Sequence, residues 1–476
     1  MTQSETAAKD RVPLGQKAAF GAGHLVLNLL PGSLGFFMFF LLTAFGMDPF
    51  LAGLLGGLPR IFDAVTDPIM GFISDNTSSK MGRRRPYILV GAVLSGIFFA
   101  LLWQLDENNS QMYTFWYFLI FSMVFLIGNT MFATPLVGLG YEMTTDYNER
   151  TRLMAFSQTM GQIAWMIVPW FWVVIADPTI FESQATGVRQ LSVMVAVVCT
   201  VLGVLPGIFC RGLDSSKMKD RVQISFSTLF SNLFDLFRGI SDAMKNVPFV
   251  RLCGATFLVF NGFQMVAAFS VYIIVFYMYE GSYERAGSWP AWFSSVTAVI
   301  TAFVVIPIVS WMANKFGKKN AFIISTSISI VGYLLKWWAF NPGNPWLLFL
   351  PVPLMAFGLG GLFTLMMSMT ADVCDLDELN NGMPRKEGTF GAIYWWMVKL
   401  GQALAMVLGG LVLKLVGFDG SAAQQTAETL LSLRIADIVI PAFTAFLAIL
   451  VMWRYDLSED FAREIKAKLE ERRGKL

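Results

Sequence analysis

Residues 60–76 read RIFDAVTDPIMGFISDN. Asp63 and Asp67 are four positions apart, so on a helix they share one face, about one turn from each other. The surrounding stretch is apolar enough to cross a bilayer, where a carboxylate is unfavourable by several kcal/mol unless it has a partner. Two neighbouring acids also repel each other, and a bound cation relieves both problems. The pair therefore predicts an ion site inside a membrane-spanning helix.

The composition is that of a membrane protein. Mean hydropathy is +0.58, and charged residues make up 14% of the chain, against about 25% in soluble domains. The net charge of +2 is too small to indicate a nucleic-acid partner. The four cysteines form no CxxC pair, and a single histidine, His24, excludes a histidine-rich metal cluster.

Twelve stretches are long and apolar enough to span a bilayer. They are predicted at 18–45, 50–75, 86–105, 112–140, 152–177, 189–211, 247–279, 286–314, 320–340, 346–371, 387–417 and 432–454. A more polar linker, 212–246, is predicted to lie along the cytoplasmic membrane surface. The N-terminal segment 1–17 lacks a signal-peptide pattern, and the charged tail 455–476 is expected to be a soluble cytoplasmic helix.

The loops on the two sides of the predicted spans differ in charge. Lys and Arg cluster in the loops that follow the even-numbered spans, whereas the alternate loops carry almost none. This positive-inside pattern predicts a multi-pass protein of the cell inner (plasma) membrane with both termini in the cytoplasm.

A short repeat relates the two halves of the chain. KMGRR at 80–84 follows the second span, and KFGKK at 315–319 follows the eighth. Two parallel six-span halves are typical of the major facilitator fold, in which substrate binds between the halves near the membrane midplane. We therefore predict an all-α membrane protein with pseudo-symmetric six-helix halves at 18–211 and 247–454.

Three motifs carry a family resemblance. They are RIFDAVTDP at 60–68 with NTSSKMGRRRP at 76–86, then EMTTDYNERTR at 142–152, then the acids and lysine within 372–399. With these motifs the chain resembles the glycoside–pentoside–hexuronide:cation symporters, which are similar to the bacterial melibiose permease. The resemblance covers essentially the whole chain and implies a twelve-helix symporter driven by sodium or a proton. It also implies that Asp63, Thr66, Asp67 and Thr130 bind the cation, with Asp63 and Asp67 as the metal ligands if the ion is Na⁺.

Lys399 is a second charge near the middle of a predicted span. We predict that it pairs with the acids of the other half and is released when cation or substrate binds. The structural alternatives are a lysine that reaches the membrane surface, and an acid pair held permanently by Arg60 or Lys399.

Polar and aromatic side chains within the spans are candidate substrate contacts, although amides also join helices and Trp also packs at membrane interfaces. The candidates are Asn28, Gln158, Gln162, Asn261, Gln264, Trp395, Trp396 and Lys399. In melibiose-type permeases, acids on the first and fourth spans and an arginine on the fifth hold the sugar. Here those positions are Asn28, Ala133 and Gln158, so the resemblance carries over the fold and the coupling but not the sugar.

The basic loop after the second span is explained by orientation alone, but it also suggests a cytoplasmic gate. We predict that its arginines pair with nearby acids when the inner side is closed, through ion pairs that are individually weak. The predicted gate residues are Asp75, Arg83, Arg84, Arg85, Asp146, Glu149 and Arg150.

The sequence thus predicts a cation-coupled (Na⁺ or H⁺) symporter that imports a small hydrophilic solute by alternating access, with a sugar or glycoside as the first choice. One alternative is a sodium-coupled lysolipid or amphiphile symporter of the same superfamily, and another is a solute sensor that does not transport. No nucleophile–base pair, metal cluster or nucleotide loop indicates an enzyme. We expect no cofactor besides the coupling ion, a lipid bilayer around the chain, and a functional monomer.

Overall fold

The structure is a computed structural model that describes residues 11–144, 147–212, 243–381, 387–457 and 459–473, with positions 224–225, 228, 231, 234 and 238–241. In these residues all regular secondary structure is helical, as predicted. The helices of the first half are α1 Leu14–Thr43, α2 Pro49–Asn76, α3 Arg85–Leu102, α4 Gln111–Glu142, α5 Tyr147–Ile167 and α6 Gln184–Phe209. A 3₁₀ turn, Val168–Trp170, and a short helix, Phe171–Ala176, extend α5.

The second half repeats this arrangement. Its helices are α7 Val247–Tyr272, α8 Trp289–Ile300, α9 Lys318–Ala339, α10 Val352–Asn381, α11 Glu387–Leu415 and α12 Ala427–Trp453, followed by α13 Glu459–Arg473. A π-helical stretch, Ile273–Met278, extends α7. Another, Thr301–Val305, joins α8 to a helix at Ile306–Phe316. Short helical turns at Tyr283–Ala286 and Pro345–Phe349 precede α8 and α10.

Eleven helices in the described part of the chain are long and apolar enough to cross a membrane. The remaining predicted span is α2, which has 28 residues but carries Arg60, Asp63 and Asp67 in its middle. All twelve predicted spans are therefore helices, and the most polar of them holds the acid pair.

The chain divides into two compact units, Met1–Leu233 and Phe234–Leu476. The division falls within the predicted linker 212–246, most of which lies outside the described residues. The same helix pairs pack in both units: α3 contacts α4 and α6 as α9 contacts α10 and α12, and α1 contacts α5 and α6 as α7 contacts α11 and α12. The repeated packing confirms the duplication predicted from the two basic motifs.

Close helix packing depends on small residues in both units. A side chain at Gly91 of α3 would come within 2.4 Å of the Phe132 backbone nitrogen of α4. In the second unit, one at Gly332 of α9 would come within 2.6 Å of the Met355 nitrogen of α10. Without a hydrophobic drive between helices in lipid, such close contact is a main source of helix association.

The outer faces of the helices are apolar as well. On α3, Val90, Val93, Ile97 and Leu101 form an exposed stripe opposite the buried face. A soluble protein would place polar groups there, whereas a lipid-facing helix gains by exposing apolar side chains. A position within the membrane thus explains why both the buried and the exposed faces of α3 are apolar.

The C-terminal tail forms a helix that packs onto the second unit. Its helix α13 packs against α10, and Ile465 and Leu469 are buried in the apolar core of the second unit. These residues are four apart and lie on one face of a helix. The interleaved Lys and Glu residues had obscured this apolar stripe, which docks the tail onto the unit.

Candidate functional site

The four residues predicted to bind a cation meet between α2 and α4. The Thr130 Oγ1 lies 3.1 Å from Asp63 Oδ1 and 3.0 Å from Asp67 Oδ1, within hydrogen-bond distance of both. The Thr66 hydroxyl donates to the backbone carbonyl of Asp63 over 3.2 Å and lies 3.4 Å from the Thr130 hydroxyl. Two carboxylates and two hydroxyls therefore face one another.

Local helix chemistry positions this cluster. The side chain of Asp48 caps α2 by accepting from the Phe50 and Leu51 amides, and α2 then continues through two prolines. Pro68 has no amide hydrogen, so the carbonyl of Ala64 loses its usual helical partner beside the acids. The helix thus adds a backbone oxygen to the same neighbourhood.

The cluster is shielded from solvent. Asp63 is 5% exposed and Thr130 is 2% exposed, and Asp67 is partly buried. Arg60 lies close enough to interact electrostatically with both acids, so the three side chains carry a formal charge of −1. Hard oxygen ligands of this kind suit Na⁺, and a carboxylate in the same place can take a proton.

Among the candidate substrate residues of the first unit, Asn28 is held in place by α5. The indole Nε1 of Trp165 donates to Asn28 Oδ1 over 3.2 Å, and Asn28 Nδ2 donates to the His24 carbonyl over 2.9 Å. Gln158 and Gln162 lie on α5 with exposed side chains. Asn28 and the exposed face of α5 therefore adjoin.

The candidates of the second unit differ in burial. Asn261 is buried and donates to the Gly401 carbonyl of α11 over 3.2 Å, which favours the helix-joining alternative for this residue. Trp395 is 46% exposed and stacks on Phe363 of α10, with ring centroids 6.2 Å apart. Gln264, Trp396 and Lys399 are partly buried. The pairing of Lys399 with the acids stays a prediction.

The basic loop does form ion pairs at the C-terminal ends of α2 and α4. Arg84 Nη2 lies 2.7 Å from Asp75 Oδ1, and Arg84 Nη1 lies 3.2 Å from Glu142 Oε1. Arg83 Nε donates to the same Glu142 oxygen over 2.6 Å. Asp75, one of the predicted gate acids, and Glu142, which was not predicted, therefore both bind arginines of this loop.

Arg85 does not fit the predicted gate. Its Nε donates to the Gly207 carbonyl and its Nη2 to the Ile208 carbonyl, each over 2.8 Å. The terminal carbonyls of a helix lack helical partners and carry partial negative charge, so a guanidinium caps them well. Arg85 therefore fastens the end of α6. Of the other gate candidates, Asp146 lies outside the described residues, and for Arg150 only the backbone is described.

The basic motif of the second unit makes matching contacts. Lys318 Nζ lies 2.5 Å from Asp372 Oδ2 of α10, as Arg83 reaches Glu142 of α4. Lys319 donates to the Tyr455 carbonyl just beyond α12 over 2.9 Å, as Arg85 caps α6. Corresponding positions of the two pentapeptides, Arg83 and Lys318, thus bind an acid of the neighbouring helix in both units. The contact at the end of the last helix comes from Lys319 within the second pentapeptide but from Arg85, one residue beyond the first.

Glu149 pairs with the N-terminal segment. Its Oε1 lies 2.6 Å from Lys17 Nζ and accepts from the Val12 amide over 2.9 Å. Burial disfavours the charged carboxylate, but the bonds from Lys17 and Val12 outweigh it, so the pKa of Glu149 lies below its ordinary value of 4.5. Glu149 therefore ties the start of α1 to the start of α5.

Replacing Glu149 by Gln is expected to weaken the attachment of the start of α1 to the start of α5. Because the pKa is lowered on folding, the stabilisation is complete at neutral pH and is lost only as the pH falls below the ordinary glutamate range. We expect the Val12 amide to exchange hydrogen about tenfold faster in Glu149→Gln, measured by mass spectrometry at neutral pH. Glu107→Gln, which removes an exposed carboxylate 3.7 Å from Arg189, is the control. Unchanged exchange in Glu149→Gln would contradict the tie.

A buried ion pair within the second unit was missed from sequence. Lys336 of α9 contacts Asp437 of α12, and the two side chains are only 1% and 2% exposed. Lys336 Nζ also lies 5.0 Å from the centre of the Phe340 ring, and Arg434 stacks between Tyr277 and Trp337 one turn before Asp437. The sequence did carry a signal for this pair, because Lys336 and Asp437 are charged residues within predicted spans, where a charge needs a partner.

Comparison with known proteins agrees with this architecture. The MFS/sugar transport protein family matches residues 19–459. An uncharacterized symporter of Synechocystis is 26% identical, covering 98% of this chain and 99% of its own. The isoprimeverose transporter of Lactiplantibacillus pentosus is 24% identical over 91% and 86% of the two chains. Sodium-dependent lysophosphatidylcholine symporter 1-B of Danio rerio is 23% identical over 98% and 91%.

Solved structures agree on the fold. A bacterial homologue of the human lysosomal transporter Spinster matches with a TM-score of 0.62 at 15% identity, over 97% of this chain and 99% of that one. A D-xylose–proton symporter matches with a TM-score of 0.60 at 17% identity, over 93% and 97%. Relatives and fold alike are those of transporters and not of enzymes. The predicted resemblance is thereby confirmed: the chain belongs to the MFS/sugar transport protein family, as a multi-pass membrane protein of the symporter type with the major facilitator fold.

Proposed function

We propose that this protein is a cation-coupled symporter that carries a sugar or glycoside across the inner membrane by alternating access. In this proposal both termini are cytoplasmic, and Asp63, Thr66, Asp67 and Thr130 hold Na⁺ or a proton. The observation that carries the proposal is the Thr130 hydroxyl, which lies within hydrogen-bond distance of both intramembrane carboxylates.

The electrostatics of the cluster support a monovalent cation. Asp63, Asp67 and Arg60 together carry a formal charge of −1, which a single positive charge would cancel. A cation that lowers the repulsion between the acids would also change how α2 packs against α4. Coupling then requires that cation and solute raise each other's affinity by the same factor.

The sugar assignment is supported by the family and by an isoprimeverose transporter among the relatives. Within the first unit, Asn28 and the exposed amides Gln158 and Gln162 offer hydrogen-bond donors and acceptors, and Trp165 offers an aromatic face. Polar groups and a ring of this kind can bind hydroxyls and the C–H face of a sugar. The exposed Trp395 is the comparable ring in the second unit.

A lysolipid is the second candidate solute. A sodium-dependent lysophosphatidylcholine symporter resembles the chain to the same degree as the isoprimeverose transporter. The acids that hold sugar in melibiose-type permeases are replaced here by Asn28 and Ala133, which is compatible with an amphiphile.

Uptake into vesicles that contain the purified protein tests the proposal. A panel of labelled glycosides, a hexuronide and lysophosphatidylcholine is presented with a sodium gradient, with a proton gradient, or with neither. We expect one solute class to accumulate above its equilibrium level with one of the gradients and to equilibrate without it.

Two results would overturn the proposal. Binding without accumulation under any gradient indicates a sensor, and accumulation that ignores both gradients removes the cation coupling. Accumulation of lysophosphatidylcholine alone would support the proposed cation coupling but would show that the solute is a lysolipid and not a sugar.

A further inference from the structure

The two helices that form the cation cluster are also joined at their C-terminal ends. Asp75 lies eight residues beyond Asp67 on α2, and Gly138 lies eight residues beyond Thr130 on α4, which is about 12 Å along each helix. Arg84 reaches Asp75 with one nitrogen and Glu142 with another. One guanidinium therefore bridges α2 and α4 about two turns from the cation cluster.

This guanidinium lies directly on the backbone of α4. A methyl group at position 138 would come within 2.4 Å of Arg84 Cζ, 2.6 Å of Nη1 and 2.7 Å of Nε. Only glycine leaves room for the flat group at this position, so any side chain must displace the arginine. Arg84 and Glu142 are 12% and 8% exposed, so this arm of the bridge is a shielded, charge-assisted contact that holds more strongly than a surface pair. The Asp75 side chain, on the other arm, is 51% exposed.

We propose that Arg84, seated on Gly138, is a positioning residue that sets the spacing of α2 and α4 and thereby the cation affinity. This inference rests on the proposed cation coupling. The ligands come from both helices, with Asp63 and Asp67 on α2 and Thr130 on α4. Binding geometry must be kept to about 0.5 Å, so a small separation of the two helices weakens the site. By linkage, a bound cation strengthens the Arg84 bridge by the same factor.

Gly138→Ala tests the bridge in the full-length protein in vesicles. We expect the concentration of the coupling cation at half-maximal uptake to rise at least tenfold. At saturating cation, the KM for the solute and the maximal rate should return to wild-type values, because only cation affinity is affected. A general packing defect would instead lower the maximal rate at every cation concentration.

Gly71→Ala is the matched control. Gly71 lies on α2 between the cation cluster and the bridge and faces α4, but a methyl there would lie 3.8 Å from Thr134 Cγ2, an ordinary contact. We expect its cation dependence to equal that of the wild type. The two variants add the same methyl to the same helix pair and differ in whether Arg84 is displaced.

Arg84→Lys, alone and combined with Gly138→Ala, keeps the inference falsifiable if Gly138→Ala folds poorly. Lysine keeps the charge but cannot bridge two acids in a fixed plane, so we expect a severalfold loss of cation affinity. In the double variant the guanidinium is already gone, so the added methyl should lower the cation affinity little further. The losses of cation affinity in the two single variants should therefore be strongly non-additive. Additive effects, or wild-type cation affinity in folded Gly138→Ala, would overturn the inference. Wild-type uptake that ignores cations would overturn the proposed function and this inference together.

Discussion

Asp63→Asn and Asp67→Asn are each expected to abolish gradient-driven accumulation of the solute. An amide is neutral and offers one acceptor oxygen, so each variant removes one negative charge from the cluster. At about 4 Å and an effective dielectric constant of about 20, the lost attraction is about 4 kcal/mol. That corresponds to a loss of about a thousandfold in cation affinity. The measurement is uptake into vesicles with an imposed cation gradient.

A thermal unfolding transition at the wild-type temperature serves as the folding control for both variants, since it reports helix packing and requires no transport. Asp106→Asn, in an exposed turn between α3 and α4, should accumulate solute normally. Thr130→Val keeps both carboxylates and removes only the hydroxyl between them, so we expect a smaller loss. Undiminished accumulation in Asp63→Asn or Asp67→Asn would exclude this cluster as the coupling site.

Lys336→Met is expected to destabilise the second unit severely. It leaves Asp437 as an unpaired carboxylate at a position that is 2% exposed. Breaking a buried ion pair in this way lowers the free energy of unfolding by about 3–5 kcal/mol. Thermal unfolding of the purified protein, followed by tryptophan fluorescence, should show a Tm lower by about 10 °C.

The double variant Lys336→Met/Asp437→Leu distinguishes the destabilisation caused by an unpaired charge from that caused by altered packing. It removes both charges and fills similar volume, and replacements of this kind are often neutral or stabilising. We therefore expect its Tm to recover most of the loss. Arg285→Gln breaks the exposed pair of Arg285 with Glu280 and should leave the Tm unchanged. A Lys336→Met protein as stable as the wild type would show that the pair is energetically unimportant.

Several features were predictable because they depend on residues close in sequence. Spans follow from runs of about 20 apolar residues, and loop charge gives the predicted orientation. The four-residue spacing places Asp63 and Asp67 on one helix face, whatever packs against it. The duplicated motif indicated two similar halves, and the matching contacts of Arg83 and Lys318 agree with it.

Other features needed the packed structure. Charge alone made Glu149 a reasonable partner for the basic loop, but Glu149 pairs with Lys17, and Glu142 binds Arg83 and Arg84. Arg85, one position later, points to the end of α6. Neighbouring arginines diverge because successive positions at a helix start face different directions, and sequence spacing does not say which helices lie there.

Sequence alone was enough to predict the membrane class, the number of spans, the internal repeat and the acid pair on α2, because hydropathy and helical periodicity are local properties. Only the packed helices show that the Thr130 hydroxyl reaches both acids, that Arg84 lies on Gly138, and that Lys336 contacts Asp437. Those contacts depend on the rotation and register of packed helices. Both are set by close approach at small residues such as Gly91 and Gly332, which no single helix specifies alone.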